Sequence, residues 1–310
     1  MLGRLRAALL RLAVLAAVAF VGDRALAWEL GRVLLQSQAR YSVLYRGGPP
    51  ADIVAVGHSR GVNGFYAPAL EKDLGLKVQN LSYNGLSMGL AEAIVRDWVD
   101  HHGKPRMLVI EVSNVGNLND VVGELLPYWV DSERLRAIGE TERPHTAAMA
   151  RVSHLFVFNC ELFLRTLYYL RRSDQDWVNR YRMSAALLEE TRRMGPFELT
   201  AQEDALAALQ RLVTFAHEQG IALRLTVTPY LCDYLEHATN YQAWLDRIER
   251  AAGERVWDAG CTDRDVTHFA DRLHLNAEGA EAFAATLVRD GFFDPARAVP
   301  PRTPVHTVVE

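Results

Sequence analysis

The chain has 310 residues, 49% apolar and 23% charged, with 34 basic against 38 acidic side chains and a formal net charge of -4. That composition excludes a disordered chain, a collagen and a multi-span membrane protein, and the missing basic excess argues against nucleic acid as a partner. The length suits one large α/β domain with additions, or two modest domains. Cys160, Cys232 and Cys261 lie far apart without a CxxC pair, so neither a disulfide framework nor a structural zinc site is indicated, and at most one disulfide can form.

In chain order, Arg4, Arg6 and Arg11 lead into an uncharged run from Leu12 to Gly22 that Asp23 and Arg24 end. As a helix this run rises only about 17 Å, against a hydrocarbon core of roughly 30 Å. That is the length of a signal peptide, and Ala25-Leu26-Ala27 offers an A-x-A cleavage pattern. If Arg11 snorkels, residues 5–22 reach about 27 Å and form an uncleaved anchor. Both readings export the rest of the chain, because the basic flank stays in the cytoplasm. The expectation is a signal anchor or signal peptide over 1–24, a helical linker over 25–50 that includes a second helix at 25–38, and a body outside the cytoplasm (periplasmic or extracellular in a bacterium).

Residues 52–57, 76–81, 107–113 and 221–228 are short apolar runs bounded by turn residues, the pattern of buried parallel strands, and 256–257 supply a short fifth. Helical stretches at 68–74, 86–102, 201–219, 241–252 and 277–289 alternate with them, which predicts a parallel sheet covered on both faces. Chemistry is expected in the loops at the carboxyl ends of the strands, after Val56, Leu81, Val112 and Val227. A helical, aromatic-rich insertion over about 118–200 interrupts the alternation. Within it, Leu155, Phe156, Asn159, Phe163, Leu167 and Leu170 fall at helical spacing and predict one helix that packs on the domain or caps the site. The main domain is thus 51–293, and Pro295, Pro300, Pro301 and Pro304 mark 294–310 as a disordered tail.

Gly57-His58-Ser59-Arg60-Gly61 follows the first strand and matches G-x-S-x-G, in which small neighbours let a serine hydroxyl sit on a tight strand-to-helix turn. Near the other end, Asp271-Arg272-Leu273-His274-Leu275-Asn276-x-x-Gly279 places an acid three residues before a histidine, just ahead of the final helix. One turn of backbone can then aim His274 at a serine while Asp271 holds its other ring nitrogen. Taken singly, the first motif is also an ordinary strand-ending turn, and the second a capped helix with a surface histidine. Their joint occurrence favours the chemical reading.

A serine after the first strand, with D-x-x-H-L-N-x-x-G near the C-terminus, resembles the SGNH, or GDSL-like, hydrolases. With Asp52-Ile-Val-Ala-Val-Gly-His-Ser-Arg60 and Asn80-Leu-Ser-Tyr-Asn-Gly85, it is similar to the exported, membrane-anchored branch related to polysaccharide O-acetylation proteins. The resemblance covers about 51–291 without the insertion. It implies a flavodoxin-like three-layer α/β/α fold with a five-stranded parallel sheet, Ser59 as nucleophile, His274 as general base and Asp271 as its orienter. It also implies an oxyanion hole from the N–H groups of Ser59 and Gly85. An asparagine past the third strand would complete that hole; strict register falls on Val115, with Asn114 one position early and Asn117 and Asn119 following. His58 stands where the family carries an acid, and His58 and Arg60 are candidate substrate contacts. No metal or other cofactor is implied. The implied activity is a serine esterase or O-acyltransferase on an acylated carbohydrate or other small ester. The alternatives are a catalytically weak SGNH-like module that binds a glycan or a partner, and a true α/β-hydrolase with a GHSRG elbow.

Overall fold

The computed structural model describes residues 2–116 and 120–302. In chain order the elements are α1 (Leu2–Gln36), α2 (Arg40–Arg46), β1 (Ile53–Val56), α3 (Ser59–Gly64), α4 (Ala67–Leu74), β2 (Val78–Asn80), α5 (Met88–His102) and β3 (Met107–Glu111). There follow α6 (Glu133–Glu142), α7 (Pro144–Val152), α8 (Glu161–Tyr168), α9 (Ala185–Arg192), α10 (Glu203–Gln219), β4 (Ala222–Val227), α11 (Cys232–Leu235), α12 (Tyr241–Ala252), β5 (Val256–Asp258) and α13 (Ala277–Arg289). The chain forms two compact units, 1–46 with 122–172, and 47–121 with 173–310. The expected insertion is therefore divided, and its last third, 173–200, belongs to the unit that holds the sheet.

In the first unit, α1 is one helix where two were expected. No proline interrupts it, and the two charges that end the apolar run are used by the fold. The Asp23 carboxylate accepts from Ser153 Oγ and from the backbone N–H of His154 (2.8 Å) and Leu155 (3.2 Å), so it caps the short 3-10 helix His154–Phe158. Arg24 donates to the Val152 carbonyl at 3.1 Å. The N-terminal part of α1 is long and apolar enough to cross a membrane, and this apolar stretch is wholly exposed. Its C-terminal part buries Ala27 and Leu34. Ser37 Oγ then donates to the Thr166 carbonyl, while Tyr41 and Tyr45 of α2 pack on the ring of Tyr128. Residues 154–170 do not make the single helix that their spacing predicts. Cys160 is extended, at φ -148, and starts α8 afresh, so the phase is lost and only Phe163 of the six spaced residues is buried.

In the second unit, β1 to β5 form a parallel sheet in the order β2-β1-β3-β4-β5, the order of a doubly wound fold. The strands read from sequence as apolar runs are all present, each a few residues shorter or shifted at its ends, and β5 includes Asp258. Because successive side chains of a strand point to opposite faces, Ile53, Ala55, Met107 and Val109 join Leu70 of α4 and Phe283, Ala284 and Leu287 of α13 in one core. Val54, Val56, Leu108 and Ile110 are buried on the other side, where α5 packs on α10 and α10 on α12. At the β2 edge, Gln175 accepts from the Asn80 N–H at 2.7 Å and donates to the Asn80 carbonyl at 3.2 Å, as a neighbouring strand would.

Cys232 and Cys261 form a disulfide that joins the start of α11 to the loop after β5, and Cys160 is free. Residues 303–310 of the expected tail lie outside the described residues. Residues 294–302 carry no helix or strand, but Arg224 grips the carbonyls of Phe292, Asp294 and Arg297, and Arg302 pairs with Asp246 and Glu249.

Candidate active site

The strand order reverses at β1, which sits between β2 and β3, and ligands of such sheets bind in the crevice at this switch point. Ser59 is the first residue of α3, three residues past the end of β1. The turn is tight enough to demand its glycines. A Cβ on Gly57 would lie 2.6 Å from the Cβ of Glu111, and one on Gly61 would collide with Ser82. His58 caps α3, its Nδ1 accepting from the Arg60 N–H at 3.2 Å.

His274 arrives on a turn closed by its own backbone. Ala270 N–H donates to the His274 carbonyl at 2.9 Å, Asn276 N–H to the His268 carbonyl at 2.9 Å, and Phe269 bridges Leu275. Asn276 then caps α13 by accepting from Gly279 N–H at 3.0 Å, and a Cβ on Gly279 would run into His268. The L-N-x-x-G part of the motif therefore has a local purpose: it starts the last helix directly behind the histidine turn.

These elements place Ser59 Oγ 2.7 Å from His274 Nε2, and both carboxylate oxygens of Asp271 2.9 Å from His274 Nδ1. With Nδ1 donating to Asp271, Nε2 is free to accept from the serine hydroxyl. Asp271 Oδ1 also accepts from the N–H of Leu273 (2.8 Å) and His274 (3.0 Å). Burial pushes its carboxyl up, but the hydrogen bond and charge of His274 and these two N–H groups outweigh it and leave the pKa below the ordinary value. Asp271 is thus an anion that fixes both the ring and the backbone of the histidine.

The loop after β2 continues its pairing with β1, Tyr83 N–H donating to the Gly57 carbonyl at 3.1 Å. Gly85 follows two residues later in a turn closed from Leu86 N–H to the Tyr83 carbonyl. Its φ is +74, a left-handed conformation that favours glycine, and a Cβ there would press Val121 at 2.9 Å. Asn114, fully buried in the 3-10 helix Val112–Gly116, donates its amide to the carbonyl of Leu86, the residue after Gly85. Val115, the residue in strict register, is buried and holds Gln202 N–H with its carbonyl, while Asn117 and Asn119 lie outside the described residues. Asn80 is consumed structurally, donating to the carbonyls of Gly61 and Phe65 and accepting from Ser82 N–H.

His58 and Arg60, expected at the substrate, are both buried. The Arg60 guanidinium donates to the carbonyls of Leu273 (2.9 Å) and Thr228 and lies over the Tyr230 ring, 3.1 Å from its centroid. Its Nε stands 3.6 Å from Glu111, a wholly buried carboxylate at the end of β3. Ser113 Oγ donates to Glu111 and approaches His58 Nε2 at 3.3 Å. Since Nδ1 of His58 accepts a backbone N–H, its proton sits on Nε2. Burial, together with the nearby Arg60 and His274, holds His58 neutral, its pKa well below the usual histidine range. Burial also raises the Glu111 pKa, against the opposing pull of Arg60 and Ser113. This polar cluster under the serine was missed from sequence, although one signal was present: Glu111 is the lone charge in the apolar strand Met107-Leu-Val-Ile-Glu111.

Among the described residues no group of His, Cys, Asp and Glu side chains is arranged to hold a metal ion. Comparison with known proteins finds no protein family that matches the chain and no curated protein similar to it.

Proposed function

We propose that the chain is a serine esterase or O-acyltransferase of the SGNH type, acting on an ester-linked acyl group through an acyl-enzyme, with acetyl on an envelope or extracellular glycan as the substrate class. The observation that carries this reading is the Ser59–His274–Asp271 relay, 2.7 Å and then 2.9 Å, at the switch point of a parallel sheet. Ser59 Oγ attacks the ester carbonyl while His274 Nε2 takes its proton, and Asp271 stabilises the imidazolium that forms. The oxyanion is taken by the N–H groups of Ser59 and Gly85, a donor set in which each member is typically worth about 3 to 4 kcal/mol of barrier. His274 returns the proton to the leaving alkoxide, and the acyl-enzyme passes its acyl group to water or to a sugar hydroxyl.

Two features support an exported, membrane-anchored protein. The Cys232–Cys261 disulfide suits an oxidising compartment. Asp23 and Arg24 serve the folded unit from positions just ahead of Ala25-Leu26-Ala27, so cleavage there would remove groups that hold the backbone of Val152, His154 and Leu155. The intact α1 is then the anchor, with its basic end in the cytoplasm.

A fluorophosphonate probe tests the chemistry. Labelling of the full-length chain that disappears in Ser59→Ala is expected; equal labelling of the two proteins refutes the nucleophile. Acetate release from acetylated glycans, with and without sugar acceptors, separates hydrolysis from transfer.

A further inference from the structure

We propose that Arg60 is a positioning residue that straps the turn bearing the base to the helix bearing the nucleophile. This inference rests on the proposed roles of Ser59 and His274 and assigns the device that sets their distance. Arg60 is the residue after Ser59 on α3, and Leu273 is the residue before His274. The guanidinium of the one donates to the carbonyl of the other at 2.9 Å across 213 residues of sequence.

The same guanidinium is fixed on its other sides. A second nitrogen donates to the Thr228 carbonyl in the loop after β4, the Tyr230 ring lies under its plane, and Glu111 faces Nε. A planar fork held at several points has one orientation, which a lysine ammonium cannot reproduce. Leu273 is correspondingly held at both ends of its backbone, its N–H on Asp271 Oδ1 and its carbonyl on Arg60. The turn that carries His274 is therefore tied to α3 by a side chain that is 2% exposed. At that burial Arg60 meets no substrate, and its effect must pass through the geometry of the relay. Glu111 compensates the buried charge rather than touching the turn itself, so the two members of the pair have separable roles.

The test compares wild type, Arg60→Lys, Arg60→Ala, Glu111→Gln and the double variant Arg60→Ala with Glu111→Gln, all full length in detergent. The double variant carries no uncompensated buried carboxylate and so guards against simple misfolding. Four quantities are read: the rate of fluorophosphonate labelling, kcat and KM on an acetyl ester, and hydrogen exchange of the backbone over 268–276. Misplacing reacting groups by about 1 Å costs about a hundredfold. A loss of that size in labelling and kcat is expected for both Arg60 single variants and for the double variant, with KM little changed and exchange over 268–276 increased. Millimolar guanidinium should restore part of the rate in Arg60→Ala and slow the exchange, while leaving Ser59→Ala inactive. Glu111→Gln should stay within about tenfold of wild type.

A folded double variant that labels within about threefold of wild type overturns the proposal, as does a loss confined to KM. If wild type itself fails to label, the assignment of Ser59 is what fails. The exchange measurement then decides the strap alone: unchanged exchange over 268–276 in Arg60→Ala refutes it, and guanidinium-reversible loosening sustains it.

Discussion

Both units bury apolar side chains, but they differ in where their polar ties fall. The sheet unit closes a core around β1, β3 and β4, whose inner residues are almost entirely inaccessible, and it delivers its polar side chains to one end. The unit built on α1 is knit by individual polar ties, such as Asp23 to the 153–155 backbone and Ser42 to the Tyr128 hydroxyl, and leaves Val130, Val152, Leu164 and Tyr168 exposed. Apolar burial is non-directional, whereas a hydrogen bond fixes an angle. Rigidity in the sheet unit thus comes from packing, with hydrogen bonds added at the site, while the helical unit combines an apolar core around Leu34, Tyr41, Leu44 and Tyr128 with long-range hydrogen bonds that fix its ends.

Substitutions should therefore separate by unit. Ser59→Ala should have the largest effect, abolishing probe labelling and ester turnover without altering the thermal unfolding of either unit, as read by calorimetry. Asp271→Asn leaves the ring without its anionic partner and should lower kcat by about ten thousandfold, on the pattern of serine triads, with steady-state kinetics as the check. Asp23→Ala should do the reverse. It removes a cap from the helical unit, at a cost of about 1 to 2 kcal/mol, seen as faster hydrogen exchange over 153–158, and it should leave the labelling rate of Ser59 unchanged. If Asp23→Ala also abolishes labelling, the two units are energetically one, and the contrast between them fails.

The smallest expected effect concerns pH. His58 is held neutral in the folded chain, so between the ordinary histidine pKa of about 6.5 and its lowered folded value the unfolded chain binds a proton that the folded chain does not. Stability from this group is present above about pH 6.5 and is lost as the pH falls below it. His58→Asn keeps a capping side chain at the start of α3 and removes the titration, so its Tm should fall less than that of wild type between neutral and mildly acidic pH. A parallel fall in both proteins would show that His58 does not contribute.

The parts legible in the sequence were those with local causes. Strands appear as apolar runs because the sheet is covered on both faces, and His274 and Asp271 announce themselves because the turn that joins them is three residues long. What stayed hidden depends on partners distant in the chain. Asp23 and Arg24 look like the end of a hydrophobic segment until Val152 to Leu155 supply their partners. Arg60 looks like a substrate contact until Thr228, Tyr230 and Leu273 enclose it. The 154–170 periodicity misled for a related reason: spacing alone cannot register that the chain extends at Cys160 and begins again in a new phase.

The amide of Gln175 on Asn80 has a consequence for how these molecules behave in company. An exposed strand edge is a template on which another chain can add itself. A glutamine that already answers both the N–H and the carbonyl of Asn80 leaves such a newcomer nothing to pair with at that position. With the Glu71 carboxylate accepting from the Val78 N–H at 3.1 Å, two side chains answer the outward N–H groups of β2, and resistance to side-by-side aggregation at this edge rests on them rather than on a covering strand.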